Sequence, residues 1–364
     1  MLFLFLVRYN YKNTRIIRKT DTAPEKFSQM NVEERIKALD QLGSFLASVP
    51  QDEFQSVAEK AALENPWFTK DNVRMAIDGV GQFLRANTLA HWISSSSTIE
   101  RPRTIALITA GNIPLVGFHD LLSVLLTGHT AMLKLSGKDN TLMKWVIEKL
   151  TQLEPRFAGR ITVSERLKGF DAVIATGSDN SSRYFDYYFG KYPNIIRRNR
   201  TAVAVLSGRE SDSQLQALGT DIFSYFGLGC RNVSKLFVPQ DYSFDRLFQN
   251  MEVYQPIIHH NKYHNNYDYQ RSILLVNRIP FFDNGFVVLQ QSQKIVSPIS
   301  VVYFEYYSTG QHLLQKLDAV KDKIQCIVGD EAPATVPFGK AQFPAIDDYA
   351  DGIDTLKFLT SLDT

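Results

Sequence analysis

Apolar residues recur at helical spacing from Val32 to Ser48, at Ile36, Leu39, Leu42, Phe45 and Leu46, and predict an amphipathic helix. Helical pattern continues over 53–64 and 69–84, interrupted at Pro66. This helical collar carries no recognisable chemistry. The middle of the chain changes character. Thr104–Thr109 is an apolar run of strand length, followed by the turn Ala110-Gly111-Asn112-Ile113 and by Pro114, placed where a helix takes its first residue. Leu115, Phe118, Leu122 and Leu125 share a helical face that Gly128 closes, and Ala131–Leu135 is the next strand. Two strands joined by so short a turn and one helix are parallel. A second pass follows at Phe170–Thr176, with Ser178 as N-cap, a helix carrying Tyr184, Phe185 and Tyr188, and a stop at Gly190. Thr201–Leu206 is a further strand, and the alternation predicts a doubly wound α/β sheet. The dinucleotide fingerprint G-x-G-x-x-G is absent from these turns.

Beyond Gly208 a polar connector, 209–213, leads to a helix expected from Gln214 to Phe226, which ends in Gly227-Leu228-Gly229-Cys230. Strands are expected at Asn232–Pro239, Ser272–Val276, Phe286–Leu289, Ile299–Glu305 and Gln325–Val328, and a helix at Phe244–Tyr254. The pattern divides the chain into an N-terminal extension over 1–29, a helical collar with a doubly wound domain over 30–208, a second domain built around Cys230 over 209–345 and a C-terminal segment over 346–364. The first seven residues are strongly apolar but lack the basic lead-in and small-residue cleavage site of a secretory signal. Residues 1–29 therefore read as an extension upstream of Met30, with an amphipathic membrane toe-hold as the alternative.

Composition narrows the function. The chain has 364 residues, 44% of them hydrophobic and 21% charged, enough for a sizeable core. Forty basic and 38 acidic residues leave a net charge of +2, which gives no argument for a nucleic-acid partner. No apolar run reaches the roughly 18 residues of a membrane helix. The two cysteines, Cys230 and Cys326, match no zinc or redox spacing, so a reducing cytoplasm is expected.

Cys230 is the sharpest chemical feature. Gly227 and Gly229 leave room for a carbonyl to approach its sulfur, and Arg231 follows at once, where a guanidinium favours thiolate. The competing reading is a small buried hydrophobe, which fits Cys326 within Ile324–Val328. His259, His260 and His264 lie in a polar stretch that reads as a surface loop, and no metal site is expected. Phe223, Tyr225 and Phe226 are either the wall of a substrate tunnel or plain core. Arg197, Arg198 and Arg200 read as a solvated basic edge or as phosphate contacts.

Six motifs occur in order over roughly residues 100 to 340: Thr109–Leu115, Gly128–Ser136, Ala175–Ser178, Gly227–Cys230, Ser297–Ile299 and Val336–Gly339. Together they resemble the aldehyde dehydrogenase superfamily, and the form Ala-Gly-Asn-Ile-Pro with the later Gly-Cys-Arg resembles its LuxC-like acyl-CoA reductases. The resemblance implies an aldehyde-dehydrogenase-like α/β fold, with a doubly wound nucleotide-binding domain and an α/β catalytic domain. It also implies NADPH as cofactor, with NADH allowed, and an acyl-CoA or acyl-protein thioester as substrate and partner, reduced to a fatty aldehyde. Cys230 would be the nucleophile, with Asn112 and the Cys230 N–H holding the oxyanion. Lys134 and Ser136 would contact the cofactor, and Gly177 and Ser178 its pyrophosphate. A homo-oligomer is compatible with this reading.

The departures from the family pattern bear on mechanism. The stretch in which relatives carry a water-activating glutamate is here Ile196-Arg197-Arg198-Asn199-Arg200, without an acid. A covalent thioester would then persist until a hydride or another thiol met it. The second family glutamate, a ribose contact, is replaced near Lys294. Two rival readings follow: an acyltransferase that forms acyl-Cys230 without a nicotinamide, and a non-catalytic scaffold.

Overall fold

The computed structural model describes residues 30–94, 99, 101–177 and 179–363. The extension expected over 1–29, together with Ser178, lies outside the described residues. Four helices open the fold: α1 (Val32–Ala47), α2 (Gln51–Glu64), α3 (Lys70–Phe83) and α4 (Ala86–Ser94). α1 starts where the pattern predicts, because Asn31 and Glu34 exchange side-chain-to-backbone hydrogen bonds of 2.8 Å. Its stripe of Leu39, Leu42 and Leu46 is fully buried.

A five-stranded, all-parallel sheet follows, built from β1 (Thr104–Ile108), α5 (Phe118–Thr127), β2 (Thr130–Lys134), α6 (Asn140–Leu153), β3 (Ile161–Val163), β4 (Ala172–Thr176), α7 (Asp179–Phe189) and β5 (Asn194–Arg197). Its order is β3-β2-β1-β4-β5. The direction of winding reverses between β1 and β4, and in such sheets ligands bind beyond the carboxyl ends of the strands at that point.

The second sheet comprises β6 (Thr201–Val205), α8 (Asp212–Phe223), β7 (Val233–Pro239), α9 (Asp245–Met251), α10 (Asn261–Val276), β8 (Phe282–Asp283), β9 (Val288–Gln291), β10 (Val301–Tyr307), α11 (Gly310–Asp318) and β11 (Ile324–Val328). The order is β11-β6-β7-β10-β9-β8, parallel except for the short β8–β9 pair. Finally α12 (Thr355–Thr360) returns to the first core, where Leu356 and Leu359 are buried with α5. Among the described residues no helix is long and apolar enough to cross a membrane.

Several expected elements change. The strand at Thr201, read as part of the first sheet, pairs with β7 and β11 instead. The chain thus changes sheets at 198–200, ahead of the boundary expected near 208. Ser272–Val276 is not a strand but the end of α10: the Asn277 N–H still donates to the Ile273 carbonyl at 3.1 Å. A five-residue apolar run does not by itself separate strand from helix. The histidine stretch is likewise helical from Asn261 onward. His260 stacks on Trp67 with ring centroids 5.0 Å apart and places Nε2 3.0 Å from the Pro66 carbonyl, while His264 pairs with Asp268 at 3.2 Å one helical turn on.

Candidate active site

The carboxyl ends of β1 and β4 open on a cavity of about 750 Å³, a size usual for small-molecule sites. Among its lining residues are Asn112, Ser136, Gly177 and Cys230, which the sequence separates by more than a hundred positions. Lys134 is not among them. It ends β2 exposed, and Lys138 in the following turn lines the cavity instead.

The turn after β1 is shaped by a buried carboxylate. Leu115 adopts a left-handed φ of 57° and donates its N–H to Asp139 at 2.7 Å. Burial pushes the Asp139 carboxyl well above the usual carboxylate range. With Leu115 in that conformation the helix cannot begin at Pro114 as expected, and α5 starts at Phe118. Gly111 is required here, since a Cβ would stand 2.5 Å from Ser136 Oγ.

The candidate nucleophile sits on a second unusual turn. α8 ends at Phe223, not Phe226, because Tyr225, Phe226 and Gly227 take successive left-handed φ values of 50°, 58° and 78°. For each of the two aromatic residues this costs on the order of 1–2 kcal/mol. Asn232 holds the turn. Its Oδ1 accepts the Gly229 N–H at 2.7 Å, and its Nδ2 donates to the Ser224 and Asp221 carbonyls at 2.8 and 3.1 Å. From the first sheet, Asn112 Nδ2 donates to the Leu228 carbonyl at 2.7 Å. One of its amide hydrogens is therefore engaged beside Cys230 and the other is left over.

Electrostatics differ from the expectation at Arg231. Cys230 is half-buried, and burial pushes its thiol up. Arg231 and Arg197 pull it down without prevailing, and Asp351 opposes them. Arg231 is committed to Asp348 at 2.5 Å, so it does not leave Cys230 as a resting thiolate. Nor is Arg197 part of a solvated edge. It is buried, pairs with Asp120 at 2.6 Å, and donates to the Ala350 carbonyl and Thr355 Oγ1 at 2.6 and 3.0 Å. Arg200 lies 3.4 Å from Asp351. Among the described residues, the three carboxylates lining the cavity, Asp120, Asp348 and Asp351, are thus each paired with an arginine.

Of the three aromatics before the nucleophile, only Tyr225 lines the cavity. Phe223 packs on Tyr254 and Phe286 in the second core, and Phe226 on Trp67 and His260. Sequence reasoning missed three contributors. One is Asn232, whose only signal is an amide side chain two residues past the cysteine. Another is His119, whose Nε2 lies 2.8 Å from the Ile346 carbonyl at the cavity wall. The third is the wall supplied by α3, from the collar read as chemically silent.

A family model described as Acyl-CoA reductase (LuxC) matches residues 25–250. Among solved structures, aldehyde dehydrogenase 21 from Physcomitrella patens, in complex with succinate, is similar over 92% of this chain and 85% of its own, with a TM-score of 0.64 and 12% identity. An aldehyde dehydrogenase from Bacillus cereus, in complex with NAD+, is similar over 84% and 73%, with a TM-score of 0.58 and 12% identity. An NADP-dependent enzyme from E. coli is similar over 84% and 75%, with a TM-score of 0.60 and 12% identity. Identities this low establish a shared fold, that of the aldehyde dehydrogenases. No curated protein sequence matches the chain.

Proposed function

Because this chain belongs to the acyl-CoA reductase (LuxC) family, we propose that it reduces a fatty acyl thioester to the aldehyde with NADPH, through an acyl-Cys230 intermediate. Family and fold make the protein an oxidoreductase acting on acyl or aldehyde groups. The observation that carries the finer reading is one cavity joining Cys230 to the sheet edge where winding reverses, with every lining carboxylate ion-paired.

Cys230 Sγ attacks the thioester carbonyl, the new S–C bond forms, and the bond to the coenzyme A sulfur breaks. The Cys230 proton leaves with the departing thiol, which suits a cysteine that burial holds protonated until substrate arrives. The remaining Asn112 amide hydrogen and the Cys230 backbone N–H are the donors suited to the oxyanion. With each lining carboxylate among the described residues held by an arginine, none is placed to activate water, and acyl-Cys230 resists hydrolysis.

The sheet edge suits a nicotinamide dinucleotide. Gly111 brings the backbone close against Ser136, Gly177 lies at the end of β4, and Lys138 offers a cation for phosphate. Lys134, outside the cavity lining, would need to reach the ribose from the end of β2. The nicotinamide, when bound, would supply the hydride; Cys230 would then leave the aldehyde carbon as thiolate and take a proton from solvent to return to the thiol. Paired carboxylates protect an acyl-cysteine equally in an acyltransferase, and that is the second reading.

NADPH oxidation with a panel of acyl-CoA thioesters, in wild type and Cys230→Ala, tests the proposal. Thioester-dependent oxidation in the wild type should fall by at least about 1,000-fold in the variant. A stable acyl adduct on Cys230 without NADPH oxidation would replace the reductase by the transferase. Unchanged turnover in Cys230→Ala would remove the nucleophile assignment.

A further inference from the structure

We infer that the face of α3 bearing Gly79 seats the acyl chain and that Gly79 sets how long a chain fits; this rests on the thioester reading above. α3 contributes Met75, Ala76, Gly79, Val80, Gln82 and Phe83 to the cavity that also contains Cys230, all apolar but for the Gln82 amide at its exposed end. None of these is charged, whereas the sheet-edge part of the same lining carries Lys138, Arg198 and Arg200. A ligand with a polar nucleotide end and an apolar tail matches that division. No charged residue of α3 is among the lining residues: Arg74 lies 3.7 Å over the Phe54 ring, and Lys70, Asp71 and Asp78 are exposed.

Gly79 is the position that separates a chain seat from ordinary packing. Glycine inside a helix is unfavourable, and one common reason for it is close approach of a neighbour. That reason holds for Gly43 of α1, where a Cβ would lie 2.8 Å from Leu84 Cβ. For Gly81 of α3 the neighbours are at 3.8 and 3.9 Å, in ordinary contact with Gly43 and Leu46 of α1. At Gly79 a Cβ would meet nothing within 4 Å. The residue is only half-buried and lines the cavity, so the missing side chain leaves cavity volume open. A larger side chain there would project into the space in which an apolar tail has to lie.

The test measures binding of butyryl-, octanoyl- and palmitoyl-CoA by titration calorimetry, with no nicotinamide present. The host is the full chain carrying Cys230→Ala, which prevents acyl transfer. Adding Gly79→Leu should lower the palmitoyl-to-butyryl affinity ratio by roughly 10-fold or more, as misfit in an apolar pocket does. Gly79→Ala should lower it less, and Met75→Ala should raise it. Leucine and alanine are better helix formers than glycine, and circular dichroism checks that both variants fold. An unchanged ratio in Gly79→Leu, or weaker NADPH binding with no change in the ratio, would overturn the α3 seat. Absent NADPH oxidation by the wild type, with the chain-length ratio still set by residue 79, would defeat the reductase reading and leave the seat standing.

Discussion

Cys230 and Cys326 present one side chain in two settings. Cys326 points into the second core from β11, and burial pushes its thiol up to about 12. Cys230 is also raised by burial, yet it stands on a left-handed turn that opens it to the cavity. Burial alone therefore does not separate an inert thiol from a usable one. The difference lies in the backbone, which at 225–227 adopts a conformation that aromatic residues rarely take, and in the two asparagines that hold it there. Strain concentrated at a site and balanced by surrounding hydrogen bonds is a mark of function.

The largest expected effect is on alkylation. In the native protein iodoacetamide should modify Cys230 about 100-fold faster than Cys326, since only an accessible thiolate reacts. Because the Cys230 thiol is raised, its rate should keep climbing above pH 9. A plateau near neutral pH, read by mass spectrometry of quenched samples, would show that Arg231 does hold a thiolate. Next in size is Asn232→Ala, which removes the partner of the Gly229 N–H and of the Asp221, Ile222 and Ser224 carbonyls and should destabilise the protein by about 3 kcal/mol in urea unfolding. If the turn serves catalysis, kcat should fall more than KM changes; equal stability and kinetics would mean that the turn holds itself.

Smallest in net effect, because a lost hydrogen bond offsets part of the gain, is Asp221, which accepts the Gly339 and Ala341 N–H groups at 2.6 and 2.9 Å and whose carboxyl burial raises to about 6. Folding then takes up protons between about pH 4 and 6, so this residue's contribution to stability falls as pH rises through that window. Asp221→Asn lacks the titration. Relative to wild type, the variant should gain up to on the order of 3 kcal/mol between pH 4 and 7, on top of a constant loss from one broken hydrogen bond. A pH-independent difference between the two unfolding curves would refute it.

Much of this was legible in the residues. Gly111 and the glycine-flanked Cys230 stood out through turn chemistry, Asn112 as a site residue only through the family resemblance, and the parallel strands through their apolar runs. What was not legible has particular causes. Helical periodicity in 69–84 records that one face of α3 is apolar, but not whether that face covers a neighbouring helix or walls a cavity. Tyr225 and Phe226 have no local preference for positive φ, so only the Asn232 hydrogen bonds, made to residues up to 11 positions away, reveal the turn. Arg197 looked solvated because its partners Asp120 and Thr355 lie 77 and 158 residues distant.

That last separation has a consequence for biosynthesis. Thr355 and the Ala350 carbonyl close around Arg197, Leu356 and Leu359 fill the first core, and the Leu359 carbonyl meets His129 Nε2 at 3.1 Å. The ribosome makes the first sheet and Cys230 well before α12 exists. On a nascent chain stalled ahead of residue 342, the Arg197 guanidinium lacks two of its acceptors and the cavity lacks the wall that residues 342–351 provide. The thiol-bearing turn is thus translated early, while its surroundings assemble only once α12 has emerged from the exit tunnel.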